Sequence, residues 1–243
     1  MNSTMKKTIY LLFFVASLIC AACGSSTNKK VAQNSDENTT SQIEATTSIV
    51  EIIEIDPIGV YEIMTAQQLG KAYDGEYNEE DEDGYDSPQD CYPISNISAT
   101  SRLATQGNIN YNEKNLYDED YQTSWVEGVN GYGIGEKITF DFNDVNAGFT
   151  GIEIANGDYA SEDSWKNYSR VKKLKLSFNG EPMFILNLKD EMGNQVFSWD
   201  KELNVKDEEL LKAFTITLEI MDVYKGDLYD NTVISEVLPS GCY

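Results

Sequence analysis

No histidine occurs anywhere in the 243 residues. That absence excludes Ser-His-Asp and Cys-His catalysis, and every zinc centre that needs imidazole. Basic side chains are scarce as well: 18 Lys and Arg stand against 41 Asp and Glu, a formal charge of -23. A chain this acidic is repelled by nucleic acid and by anionic lipid headgroups, and divalent cations are its natural counter-ions. Long apolar runs are missing too. The longest, Ile9 to Cys20, falls short of the roughly 20 residues that a membrane-spanning helix needs.

That run follows Lys6 and Lys7, and a basic start ahead of a short apolar stretch is the pattern of a secretion signal. Small residues then lead into a cysteine in Cys20-Ala21-Ala22-Cys23, which resembles the lipobox of bacterial lipoproteins. The resemblance implies a signal peptide over 1–22, diacylation of Cys23, and a mature chain lipid-anchored at the bacterial cell envelope, facing outside the cytoplasm. Two acyl chains suit this role, because each buried methylene contributes about 0.8 kcal/mol and one chain alone holds only marginally. With Cys20 removed and Cys23 acylated, Cys91 and Cys242 remain. An even pair in an exported chain reads as a disulfide. It would clip the start of the folded region to its end, for at most about 5 kcal/mol. The alternative is two unpaired thiols near the chain ends.

From Gly24 to about Ser48 the chain is Ser, Thr, Asn, Gln, Lys and Glu with almost no large apolar side chains, so 23–48 is expected to be a flexible tether. Residues 49–90 combine an apolar island, Ile49 to Met64, with an acidic run from Glu76 to Asp90. The island alternates in Val50-Glu51-Ile52 and Glu54-Ile55, and is either a strand that joins the domain or a sticky stretch of linker. Asp81-Glu82-Asp83-Gly84 lacks the spacing and closing glutamate of an EF-hand, so the acidic run is expected to be solvated linker.

Beyond Cys91 the pattern changes to strands. Ile138 to Phe142, Leu174 to Phe178 and Phe214 to Ile220 alternate with period two and are rich in β-branched and aromatic residues. Turn signals separate them at Asn143-Asp144, Asn156-Gly157, Asn179-Gly180 and Gly193-Asn194. A short helix is expected over Lys206 to Ala213. Many short strands in residues 91–243 predict one all-β sandwich or jelly roll. The cluster Gly128, Gly131, Gly133 and Gly135 superficially matches a phosphate-binding loop, but a strand rather than a helix follows it at Glu136 to Phe142, which argues against nucleotide binding.

The most informative segment is Asn115-Leu116-Tyr117-Asp118-Glu119-Asp120-Tyr121-Gln122-Thr123-Ser124-Trp125. Carboxylates two residues apart, followed by a threonine hydroxyl, can wrap a hard cation that takes six to eight oxygens. Trp125 would turn inward and fix the loop on the core. The segment resembles the D-G-x-x-x-T-x-W loop of discoidin-like domains, the factor V/VIII type C and family 32 carbohydrate-binding group. Trp125-Val126-Glu127-Gly128 with Gly131-Tyr132-Gly133-Ile134-Gly135-Glu136 is similar to the bacterial NADase-type glycan-binding subgroup, named for the translocation module of an NAD glycohydrolase. Further matches follow in order: Ile152-Glu153-Ile154 with Asn156-Gly157, Arg170 to Leu174, Val223-Tyr224-Lys225-Gly226, and Asp230 to Val237.

The resemblance covers roughly Cys91 to Cys242 and implies a discoidin-like jelly roll whose chain ends meet. It also implies a structural Ca2+ site made by Asp118, Asp120, Thr123, the Asn115 carbonyl and Glu236, with Glu119 standing where the family has glycine. For a ligand it points to Glu127, Tyr132, Tyr159, Trp165, Asn167, Tyr168 and Arg170, aromatic plates and hydrogen-bonding groups suited to a saccharide. The expectation is therefore a non-catalytic, monomeric, surface-anchored module that binds a glycan. The alternative is an envelope lipoprotein that kept the sandwich and binds a protein instead. Paired carboxylates of a glycosidase are a third reading, disfavoured because no second domain is long enough to build a cleft.

Overall fold

Alternation sets the two faces of the sheet. A computed structural model of the chain describes residues 6–8, 52–62, 88–206 and 209–241. Its strands are β1 (Lys6–Thr8), β2 (Ile52–Ile55), β3 (Gly59–Tyr61), β4 (Ile94–Ala99), β5 (Trp125–Val126), β6 (Lys137–Phe142) and β7 (Gly151–Asn156). They continue with β8 (Ser169–Phe178), β9 (Glu181–Asn187), β10 (Asn194–Ser198), β11 (Val205–Lys206), β12 (Glu209–Leu210), β13 (Phe214–Tyr224) and β14 (Thr232–Ser240). Among the described residues, two short α-helices, α1 (Pro88–Cys91) and α2 (Glu162–Asn167), and a 3-10 turn over Glu113–Tyr117 complete the elements. Along β6, and along β13 from Phe214 to Ile220, every second side chain is buried, as the period of two requires. The tether of 23–48, most of the signal segment, Cys23, the acidic run before Pro88 and Cys242 lie outside the described residues.

One continuous 12-stranded hydrogen-bonded system folds into two layers. The first layer runs β4-β6-β13-β8-β9-β2, with β1 on its outer edge, and the second runs β5-β14-β7-β10-β3. They join where Ser169 and Arg170, at the start of β8, pair in parallel with Thr232 and Val233 of β14. Asn156 strengthens this seam. Its fully buried amide donates to the Val171 carbonyl at 2.7 Å and accepts from the Val171 amide at 2.9 Å, standing in for a backbone pair. Between the layers lie Phe140, Phe142, Leu174, Leu176, Phe214 and Ile216 from one side and Ile152, Ile154, Phe197 and Ile234 from the other. Phe149 fills the centre, with rings of Phe214, Trp199 and Tyr92 at 5.5, 4.9 and 6.4 Å. Trp125 is fully buried and donates its indole N–H to the Ser101 carbonyl, as the inward anchor expected of it.

The register defines two poles. Ser169, Thr232 and Asn156 lie at one, and Phe178, Ser240 and Gly151 at the other. At the second pole Asn179-Gly180 forms the expected tight turn between β8 and β9, both residues in the left-handed region at φ 49° and 84°. The start of the domain meets the end of β14 there: a Cβ on Gly241 would lie 2.7 Å from the Tyr92 hydroxyl, the Thr150 amide donates to the Ser240 carbonyl, and Cys91 is buried. The described part of the apolar island, residues 52–62, joins the fold through β2 and β3. The described residues of the helix expected over Lys206 to Ala213 are not helical. Lys206 lies in β11, and Glu209 and Leu210 form β12 beside it, because buried Asn204 captures the backbone: its carbonyl accepts from the Leu211 amide, and its side chain bonds the Phe149 amide and the Ala147 carbonyl. Local polar capture overrides weak helical patterning.

Candidate functional site

The loops at the first pole carry most of the residues the sequence singled out, and the structure divides them into a closed set and an open one. Helix α2 is capped by Ser161, whose hydroxyl accepts from the Ser164 amide, and this short turn rotates Trp165 inward. Trp165 is 8% exposed, donates its indole N–H to the Asn156 carbonyl at 2.8 Å, and lies under the Arg170 guanidinium at 4.2 Å. Arg170 is itself buried. Nε donates to Asp190 at 2.8 Å, and Nη1 donates to the Trp165 and Tyr168 carbonyls, each at 2.8 Å. Tyr159 packs beside Trp165, and its hydroxyl donates to the Gly193 carbonyl and accepts from the Gly193 amide. Burial pushes its phenol up to about 12.

Glu127 is also internal. Its carboxylate accepts from the Val129 and Thr232 amides and staples the glycine-rich loop to β14, while burial raises its pKa. Gly133 sits directly over it, where a Cβ would meet the Glu127 Cγ at 2.6 Å. Glu127, Tyr159, Trp165 and Arg170 were expected to face a ligand; the structure buries all four and hydrogen-bonds their side chains inside the pole, so they hold it together.

The open set is Tyr132, Asn167, Tyr168 and residues the sequence reading passed over. Tyr132 is half-buried under the Lys225 ammonium, 4.9 Å from its ring. Asn167 acts through its backbone, accepting from the Leu228 and Tyr229 amides. Tyr168 stacks obliquely on Tyr229, with centroids 4.6 Å apart, and its phenol is pushed up to about 12 by partial burial and by neighbouring Tyr111. Tyr111 in turn lines a groove of about 230 Å³ with Arg102, Leu103, Thr105, Asn110 and Asn112. The loop that presents Tyr229 is clamped rather than loose. Lys166 and Asn167 carbonyls accept from Asp227, Leu228 and Tyr229, and the Ser169 hydroxyl bridges the Gly226 amide and the Tyr229 carbonyl. On that held backbone Leu228 is 69% exposed and Tyr229 47%. The signal for them was an apolar pair between Asp227 and Asp230, a placement that core packing does not explain.

The acidic loop lies on the flank of the same sandwich. Asp118 accepts from the Asp120 amide and the Thr123 hydroxyl, while the Asp120 carboxylate accepts from the Gln122 amide. The Asn115 side chain is spent on the Asn110 and Ser124 carbonyls. A bulge in β14 after Ile234 turns Glu236 towards this loop. Glu236 is fully buried, and neither carboxylate oxygen has a hydrogen bond of good geometry. Burial, the adjoining Asp118 carboxyl and the charge of Glu119 push its pKa up to about 9, and the Asp120 amide only partly offsets them. Among the described residues no three acidic or cysteine side chains gather closely enough to hold a metal by themselves. The orphaned carboxylate beside Asp118 and the Thr123 hydroxyl nonetheless fits a cation that takes hydroxyl, carbonyl and water oxygens as well.

A family model described as the NAD glycohydrolase translocation F5/8 type C domain matches residues 87–239. No curated protein matches the chain in sequence. Among solved structures, the CBM32-1 and CBM32-2 domains of Clostridium perfringens ZmpB align at TM-score 0.46 and 12% identity, covering 76% of this chain and 40% of that one. This chain thus spans about two fifths of that structure. CpGH89CBM32-5 from Clostridium perfringens, solved in complex with GalNAc-beta-1,3-galactose, aligns at TM-score 0.41 and 16% identity, covering 63% and 96%. CBM32-1 of a family 31 glycoside hydrolase from Clostridium perfringens aligns at 0.43 and 11%, covering 63% and 99%. Similarity this distant says nothing about a ligand.

Proposed function

Because the chain belongs to the family of the NAD glycohydrolase translocation F5/8 type C domain, we propose that it is a non-catalytic, lipid-anchored binding module that recognises a glycan at its aromatic pole. The observation that carries this reading is the exposed Tyr229 on a clamped loop, stacked on Tyr168 and continuous through Tyr111 with the groove beside Arg102. A ring held in place before binding stacks on the apolar face of a sugar with little ordering cost. Asn110, Asn112 and Arg102 would orient hydroxyls in the adjoining groove.

Asp118, Thr123 and Glu236 would hold a structural Ca2+, joined by Asp120 and the Asn115 carbonyl, and the ion would neutralise the buried carboxylate. Attachment at Cys23, the Cys91–Cys242 disulfide and a monomeric state belong to the same reading. One feature favours the second reading, a protein partner in the envelope: Leu228 projects further than Tyr229 and offers a sugar no hydrogen bond.

The test is a glycan array probed with the full chain in calcium, beside its Tyr229→Ala variant. The expected result is saccharide binding by the parent, weakened about tenfold by the loss of one stacking ring, with an unchanged melting temperature. A folded parent that binds no saccharide, yet retains an envelope protein in a pull-down after polysaccharide removal, would replace the sugar with a protein.

A further inference from the structure

The family match begins at residue 87, yet residues 52–62 complete both layers of the sandwich. Strand β2 lies parallel to β9, pairing Ile53 with Phe184 and Ile55 with Leu186, and Ile52 is buried. Strand β3 lies antiparallel to β10, pairing Gly59 with Val196 and Tyr61 with Asn194. Between them Asp56-Pro57-Ile58 crosses from one layer to the other. The Asn187 amide donates to Asp56 at 3.2 Å, and the Ile58 amide to the Val196 carbonyl at 2.8 Å. Lys173 pairs with Glu54 at 3.4 Å. Without this segment β9 and β10 would present unpaired backbone edges, which folded proteins avoid.

The contact reaches further than the edges. At Gly193 a Cβ would meet Val60 Cγ1 at 2.7 Å and the Tyr61 carbonyl at 2.8 Å, so β3 closes directly on that glycine. Both backbone groups of Gly193 bond the Tyr159 hydroxyl, at 2.8 and 2.9 Å. Tyr159 packs on Trp165, Trp165 lies under Arg170, and Arg170 holds the Tyr168 carbonyl. A contiguous set of contacts therefore links β3, continuous in sequence with β2, to the aromatic pole.

We propose that residues 52–62 are a strand ligand bound in cis by the edges of β9 and β10, and that this clasp positions Tyr168 through Gly193, Tyr159, Trp165 and Arg170. The proposal goes beyond the binding reading and holds whatever the pole recognises. Spatial continuity alone does not establish coupling, so the test must measure the far end.

Hydrogen–deuterium exchange of the full chain supplies it, comparing the parent with Ile53→Asp/Ile55→Asp. The parent is expected to protect 52–62. The double variant is expected to lose that protection and to exchange about tenfold faster at Gly193 and across 158–168, while β6 and β13 stay protected. Free exchange of 52–62 in the parent overturns the clasp, and unchanged exchange across 158–168 overturns the coupling. Should the double variant lose protection in β6 and β13 as well, Val60→Asp, which touches β3 alone, is judged by the same two outcomes. A parent dimer that falls to monomer in the double variant would assign the strand to a second copy and overturn binding in cis.

Discussion

Arg170 and Glu236 are buried ionisable groups in one sandwich, and they are treated in opposite ways. Around Arg170 the fold supplies a carboxylate, two short backbone carbonyl contacts and an aromatic face, so the charge is fully used. Around Glu236 it supplies a second carboxylate and leaves both oxygens without good hydrogen bonds. Glu127 shows that this neglect is not general, since that buried carboxylate receives two backbone amides. A buried group whose polar atoms are partnered is a structural part; one left without partners beside a second carboxyl is where an added cation or a proton would act most strongly.

Removing the satisfied charge should have the largest effect. Arg170→Ala strands the Trp165 and Tyr168 carbonyls and uncovers the Trp165 ring, and is expected to cost about 3 kcal/mol in urea unfolding. Arg170→Lys should recover little of it, because an ammonium cannot reach those acceptors and lie flat on the indole at once. A loss under about 1 kcal/mol would mean that water takes over the carbonyls, and the contrast with Glu236 would fail.

The unsatisfied charge should respond to cation and to pH. Saturating calcium at about 100 times its dissociation constant adds about 2.7 kcal/mol, or some 5 to 10 °C in a melt against chelator. An unchanged midpoint would leave Glu236 simply protonated. In chelator its folded pKa of about 9 lies above the unfolded value of about 4.3, so protonation favours the folded form. That contribution is complete below the unfolded value and is lost as pH rises through 9. Stability in chelator should therefore fall from mildly acidic to alkaline pH, and calcium should flatten the slope. Glu236→Gln separates the causes: expected to be more stable than the parent in chelator at pH 8, less stable in calcium, and without the slope. A slope that survives in this variant would belong to another group.

The strands of this fold were readable because their period of two is physical: β6 and β13 bury the residues that alternation marks. The meeting of Glu236 with Asp118 was readable only through family likeness, since no local pattern links positions so far apart. The ligand residues were harder. Trp165, Tyr159 and Arg170 have the composition of a sugar site, but composition does not say that an indole and a guanidinium will face each other rather than solvent. The helix expected over Lys206 to Ala213 failed for a similar reason, since Asn204 claims its backbone from outside the window. Leu228 and Tyr229 are legible in retrospect, as apolar residues in an acidic loop with nothing nearby in sequence to bury them.

The smallest expected effect lies beside Glu236, in the backbone of the acidic loop. Glu119 occupies the left-handed region at φ 58°, where a Cβ is strained by roughly 1–2 kcal/mol. Glycine removes that strain but enlarges the unfolded ensemble by about 0.4–1 kcal/mol, so Glu119→Gly should stabilise by about 0.5–1 kcal/mol. It also removes a charge that raises the pKa of Glu236, which Glu119→Gln removes without touching the backbone conformation. Melts of both variants in chelator divide the two contributions. If the glycine variant gains no more than the glutamine variant, relief of the left-handed backbone adds nothing beyond the loss of the Glu119 side chain.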